Sequence, residues 1–83
     1  MYGVRHSVEA EFPEFYTEIT RLKHCNADFS RLLAVYDETD KKIYGLEQLN
    51  QPVTDDYFAY LKRQRVLLKD QLYAMLKRNL ATF

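Results

Sequence analysis

The sequence is short of most features that advertise an activity. Its 83 residues include one cysteine, Cys25, two glycines, Gly3 and Gly45, and two prolines, Pro13 and Pro52. A single thiol excludes an intramolecular disulfide and fits a reducing compartment. Two isolated glycines exclude a phosphate-binding P-loop or a dinucleotide fingerprint, which need several glycines so that backbone amides can approach phosphate. Twelve basic side chains balance twelve acidic ones. No overall field therefore draws the chain to nucleic acid or to an anionic membrane, and such binding would need a local patch. No apolar run approaches the ~20 residues that span a bilayer. The opening MYGVRHSVEA has neither the apolar stretch nor the small-residue cleavage site of a signal peptide, which makes the cytoplasm the expected location.

Hydrophobic residues make up 47% of the chain and charged ones 29%, a balance too apolar for disorder and ordinary for a helical domain. The length allows one domain at most, in the range where a single core is marginal without metal, disulfides or oligomerisation. Residues 1–11 hold no sustained period and are expected to form a loose or partly docked arm, with a single domain over residues 12–80.

Phe12 precedes Pro13, which disfavours helical angles at Phe12 while Pro13 itself suits a first helical turn. A short amphipathic helix is expected over about residues 13–24, with Phe12, Phe15, Ile19 and Leu22 at steps of three and four. Glu14 and Glu18 lie towards its positive end, and Arg21, Lys23 and His24 towards its negative end. Asn26 is a good N-cap, so a break, or a kink, is expected at Cys25 and Asn26. The next helix, about 27–49, carries Phe29, Leu32, Leu33, Tyr36, Ile43 and Leu46 on one face, and Gly45 weakens its end. Asn50, Gln51, Pro52 and Val53 make a connection of the length common between antiparallel helices. Thr54 caps a last helix over about 55–80, with Asp55 and Asp56 in its first turn and Tyr57, Leu61, Leu68, Leu72, Met75 and Leu76 on its core face.

The expected fold is therefore all-α, an antiparallel helical hairpin with a short N-terminal helix. Its register pairs Leu46 with Phe58, Ile43 with Leu61, Tyr36 with Leu68, Leu32 with Leu72 and Phe29 with Met75. Asp40 interrupts these apolar layers and falls opposite Gln64 and Arg65, so an Asp40–Arg65 ion pair is expected to set the register and avoid an isolated buried charge.

The segments FPEFYTEITRLK, NADFSRLL, YDETDKKIYGLE and LKRQRVLLKDQLYAML, together covering Phe12 to Leu76 and with the last the most specific, resemble the YdcH-like family of small bacterial helical-hairpin proteins, a domain of unknown function. His6, Ser7 and Glu11 resemble a leader found in one branch of that family. The family pattern often has histidine where this chain has Tyr36, and an apolar leucine where it has Thr39. The second departure implies a wetter layer beside Asp40. The resemblance implies a hairpin with an N-terminal helical extension in a bacterial cytoplasm, and brings no activity, cofactor or substrate class.

The residues themselves favour no chemistry. His24 and Cys25 are adjacent and point apart on a helix, and His6 lies in another region, so no metal site or cofactor is expected. A dipole-compensating histidine and a small, partly buried thiol account for them. Cys25 has no activating base or oxyanion site in view. Solvated charges and one seam pair account for Asp37, Glu38 and Asp40 better than an acid/base pair does. No catalytic residue is therefore assigned, and an enzyme is not expected.

Two stretches suggest binding. Ala59, Val66, Tyr73 and Leu80, and Tyr60, Leu67 and Ala74, form extra apolar lines on the last helix at heptad steps. Part of this surface must meet the first helix. Tyr60, Val66, Leu67 and Tyr73 are expected to form a contact surface, either for a homodimer or for another protein, as in an adaptor. Lys62, Arg65 and Lys69 line one flank and are candidate phosphate contacts of a small nucleic-acid-binding or nucleoid-associated factor. Against that reading, the register brings Lys69 near Asp37 and Arg65 near Asp40, and leaves Lys62 near Lys42. The expectation is a non-enzymatic interaction or structural module that self-associates through its last helix.

Overall fold

A computed structural model describes residues 5–49 and 54–80. The expected connection at Asn50, Gln51, Pro52 and Val53 lies outside them, as do residues 1–4 of the arm and the side chain of Leu80. The described residues form helices α1 (Val8–Glu11), α2 (Tyr16–Cys25), α3 (Ala27–Leu49) and α4 (Asp55–Leu80), with a 3-10 turn at Pro13–Phe15 before α2. No strand occurs among them, and α3 and α4 pack as the expected hairpin.

Local chemistry explains most boundaries. Phe12, held off helical angles by Pro13, has φ −129° and ψ 64°, which ends α1 and separates it from the turn that follows. The stretch expected as one helix from Pro13 therefore begins as a tight turn, in which the Phe15 amide donates to the Phe12 carbonyl at 2.9 Å. Asn26 closes one helix and opens the next. Its amide donates to the Leu22 carbonyl at 3.0 Å, its Oδ1 accepts from the Phe29 amide at 3.0 Å, and its carbonyl accepts from the Ser30 amide at 3.0 Å. With φ −130° and ψ 107° it is a true break rather than a kink. Thr54 caps α4 in the same way, its Oγ1 accepting from the Tyr57 amide at 3.1 Å.

The core is gathered towards the end of the hairpin that α2 covers. Ile19 and Leu22 from α2, Phe29, Leu33 and Tyr36 from α3, and Leu72 and Leu76 from α4 are buried there together with Val8 of α1. Ile43 and Leu61 are also buried, further along the hairpin beyond Asp40. Tyr57 departs from its expected place on the core face and is 45% exposed. It sits at the rim of that face, in the first turn of α4, beyond the part of the hairpin to which α2 contributes.

The arm differs most from expectation. Ser7 caps α1, its Oγ accepting from the Ala10 amide at 3.2 Å, and Val8 is completely buried. Residues 5–11 are thus docked on the hairpin, four of them helical. Such a short helix shows no usable period in sequence, and one buried valine is the only apolar mark it leaves.

Candidate functional site

Asp40 lies about three-fifths of the way along α3, on the face whose neighbours are apolar, and is fully buried. A carboxylate placed there needs a donor for each oxygen. Arg65 of α4 donates from Nη1 to Oδ1 at 2.9 Å. Arg5 donates from Nε to Oδ2 at 2.8 Å, and the His6 amide donates to the same oxygen at 3.1 Å. The hydroxyl of Tyr36, one turn earlier on α3, donates to the His6 carbonyl at 2.5 Å. One peptide segment of the arm is therefore held by both its N–H and its C=O from two side chains of one helix face.

Burial raises the Asp40 carboxyl, but hydrogen bonds from Arg5, the His6 amide and Arg65 outweigh it and hold the group below the usual aspartate value. Asp37, three residues earlier, moves the other way. Burial and the nearby Glu9 raise it, and the opposing charges of Arg5 and Lys23 do not compensate. The Tyr36 phenol is pushed up to about 12 by burial, then by the neighbouring Asp40 and Glu11 carboxylates. Every buried side-chain nitrogen and oxygen among the described residues has a partner. Asp40 itself is fully buried in this layer. Thr39 turns its Oγ1 to the Val35 carbonyl at 2.9 Å instead of opening the seam.

Around this clasp a cleft of ≈ 260 Å³ is lined by His6, Glu11, Tyr36, Arg65, Val66 and Lys69. Its charges are already matched. Glu11 lies 3.3 Å from His6 Nδ1 and 3.6 Å from Lys69 Nζ. Lys69 was expected near Asp37 and instead meets Glu11, because α1 brings that carboxylate onto α4. Lys62 stacks its ammonium 4.5 Å from the Phe58 ring centre, on its own helix. Of the three candidate phosphate contacts, Arg65 and Lys69 are engaged with acids of this chain.

The outward side of α4 is different. Tyr60 is 49% exposed, Val66 51% and Leu67 55%, with a shallow apolar groove bounded by Lys62, Arg63, Val66 and Leu67. Tyr73 does not stand with them on equal terms. Its ring lies 5.1 Å from that of Phe12 and 5.9 Å from that of Phe15, leaving 38% exposure at one edge. The turn before α2 therefore covers part of the apolar line that sequence periodicity left open, and covers it with aromatic contacts.

Cys25 is exposed rather than partly buried, its Sγ 3.9 Å from Arg21 Nη1, because it ends α2 at the helix boundary. Among the described residues no three His, Cys, Asp or Glu side chains gather so as to hold a metal ion. Sequence reasoning missed Arg5 and the His6 backbone as partners of Asp40. The available signal was stoichiometric: a buried carboxylate has two oxygens, and one arginine was assigned to it.

A protein-family model described as "Protein of unknown function (DUF465)" matches residues 29–76, from Phe29 on the α3 core face to Leu76 on that of α4, both buried. No curated protein and no solved structure matches the chain. No helix among the described residues is long and apolar enough to cross a membrane.

Proposed function

This chain belongs to the DUF465 family of proteins of unknown function, and we propose that it acts as a non-enzymatic interaction module that self-associates through the outer face of α4. The observation that carries the reading is the exposure of Tyr60, Val66 and Leu67 within two turns of a helix whose opposite side is buried in the hairpin. A surface of this kind is unfavourable in water and is commonly covered in an assembly. The small size of the domain adds a reason, since oligomerisation supplements a core of this extent.

The polar side supports the same reading. The Asp40 clasp joins α3, α4 and the arm into one body, so α4 presents a rigid face. The acids and bases of the clasp, Asp40 with Arg5 and Arg65 and Glu11 with Lys69, are occupied with one another, which gives them a structural use. The rival reading, nucleic-acid binding by Lys62, Arg65 and Lys69, is weakened because two of the three cations face carboxylates at 2.9 and 3.6 Å.

The test is light scattering at micromolar chain concentration. The wild type is expected at twice the 9.9 kDa chain mass. The Leu67→Glu variant is expected as a monomer with unchanged far-ultraviolet helicity, since Leu67 makes no part of the buried core. A wild type that stays monomeric overturns self-association. Capture of a defined partner from the native cytoplasm, insensitive to nuclease, would then favour an adaptor. Capture lost on nuclease treatment, with steep salt dependence, would favour a nucleic-acid-binding factor.

A further inference from the structure

We propose that two copies meet through α4 in antiparallel orientation, about a two-fold axis passing between Val66 and Leu67, with Arg63 of each copy opposite Asp70 of the other. The inference rests on the self-association proposed above and adds the orientation, the register and the residues that set them.

A two-fold contact is isologous, so each position on the helix lies level with its mirror position on the other copy. Placing the axis between Val66 and Leu67 puts each of these two beside its own copy, Tyr60 level with Tyr73, and Ala59 against Ala74. The same axis sets Arg63 against Asp70, Asp56 against Lys77, and Asp55 against Arg78. Every mirrored pair is thus apolar with apolar or acid with base, and all twelve residues are exposed in the isolated chain. On a helix they share the side directly opposite Leu61, Leu72 and Leu76, which are buried. Ala59 and Ala74 lie near the centre of that side, where small side chains let two backbones approach.

The charges select this arrangement. Arg63, Asp70, Asp55, Asp56 and Arg78 make no ion pair among the described residues, while Lys77 lies 5.8 Å from the Tyr73 ring centre. They are therefore available to a second copy. A parallel pairing in register would place Arg63 on Arg63 and Asp70 on Asp70, which is repulsive at both positions. Moving the antiparallel axis to residue 65 would place Arg63 opposite Leu67 and Asp70 opposite Tyr60, desolvating charges without partners. Two symmetry-related Arg63–Asp70 pairs flanked by Val66, Leu67 and the tyrosines thus act as a register device within an apolar contact.

Cross-linking tests the geometry. In a Cys25→Ala background, chains carrying Ala59→Cys and chains carrying Ala74→Cys are mixed and treated with a short bis-maleimide. A covalent heterodimer is expected from the mixture and none from Ala59→Cys alone, because in one antiparallel dimer two copies of residue 59 lie about 22 Å apart at the ~1.5 Å rise per residue. Cross-linking of Ala59→Cys with itself, or no cross-link in a mixture that light scattering still finds dimeric, overturns the proposed register while leaving self-association intact. A wild type that is monomeric overturns both. As a second measurement, Arg63→Asp alone is expected to weaken dimerisation on the order of tenfold or more, about 1.4 kcal/mol per tenfold. The double swap Arg63→Asp with Asp70→Arg is expected to restore it. A single variant that dimerises like the wild type overturns the charge pairing.

Discussion

Arg65→Met isolates the clasp on which the arm and hairpin depend. Methionine keeps much of the length and the apolar stem of arginine but removes the guanidinium, leaving Oδ1 of Asp40 without its donor at 2.9 Å. The Asp40 side chain is 1% exposed and Arg65 20%, so water replaces the lost contact poorly. Breaking a buried pair outright costs about 3–5 kcal/mol. Here Arg5 and the His6 amide still serve Oδ2, which limits the loss to a charge-assisted hydrogen bond, about 2 kcal/mol. For a domain of this size that lowers Tm by about 8–16 °C. The assay is thermal unfolding followed by far-ultraviolet circular dichroism at pH 7, at matched chain concentration because self-association would make Tm concentration-dependent.

The pH dependence carries the sign. The folded-state pKa of Asp40 is depressed, so the carboxylate contributes stability that is full above its unfolded value of about 3.9 and is lost as pH falls through the folded value. The deficit of Arg65→Met should therefore be largest near neutrality and shrink on acidification below about pH 4, where the carboxyl is neutral in both proteins. It should also persist in about 1 M salt, since burial shields the pair from screening. Equal Tm values at pH 7, or a deficit that grows in acid, would refute the argument that Asp40 is held as a buried, multiply bonded anion.

Two further outcomes follow from single side chains. Tyr36→Phe removes the bond to the His6 carbonyl and should cost about 1 kcal/mol, with faster amide exchange over residues 8–11 as the arm loosens. Because the folded phenol is raised from 10.0 to about 12, the wild type should lose stability as pH rises between those values, and the variant should lack that alkaline loss. Gly45→Ala should stabilise by about 0.8–1 kcal/mol, since a methyl group there meets nothing within 4 Å inside α3. A lower Tm for Gly45→Ala would show that the apparent space is filled.

Much of the architecture was legible because it is written in local or periodic terms. The boundaries at Asn26 and Thr54 follow from side chains that bond the backbone three residues on, and Pro13 acts on its immediate neighbour. The core faces of α3 and α4 follow from spacing at the helical period. With those faces opposed, Asp40 and Arg65 fall in one layer, where the structure places them 2.9 Å apart. Arg5 and Glu11 were not legible in the same way. Their partners lie on helices remote in sequence, and their placement depends on the path of an arm too short to show a period.

Sequence by itself determined α2, α3 and α4, the caps at Asn26 and Thr54 and which faces of the two long helices are greasy, since these depend on neighbours within a turn or so and on burial repeating every 3.6 residues. Tertiary structure decided which charges meet beyond Asp40 and Arg65. Lys69 went to Glu11 instead of Asp37, Arg5 joined Asp40 from 35 residues away, and Tyr73 was half covered by Phe12 and Phe15. The reason is that a charge or ring is satisfied by whatever lies within a few ångströms in space, and that neighbourhood exists only once the arm has folded onto the hairpin.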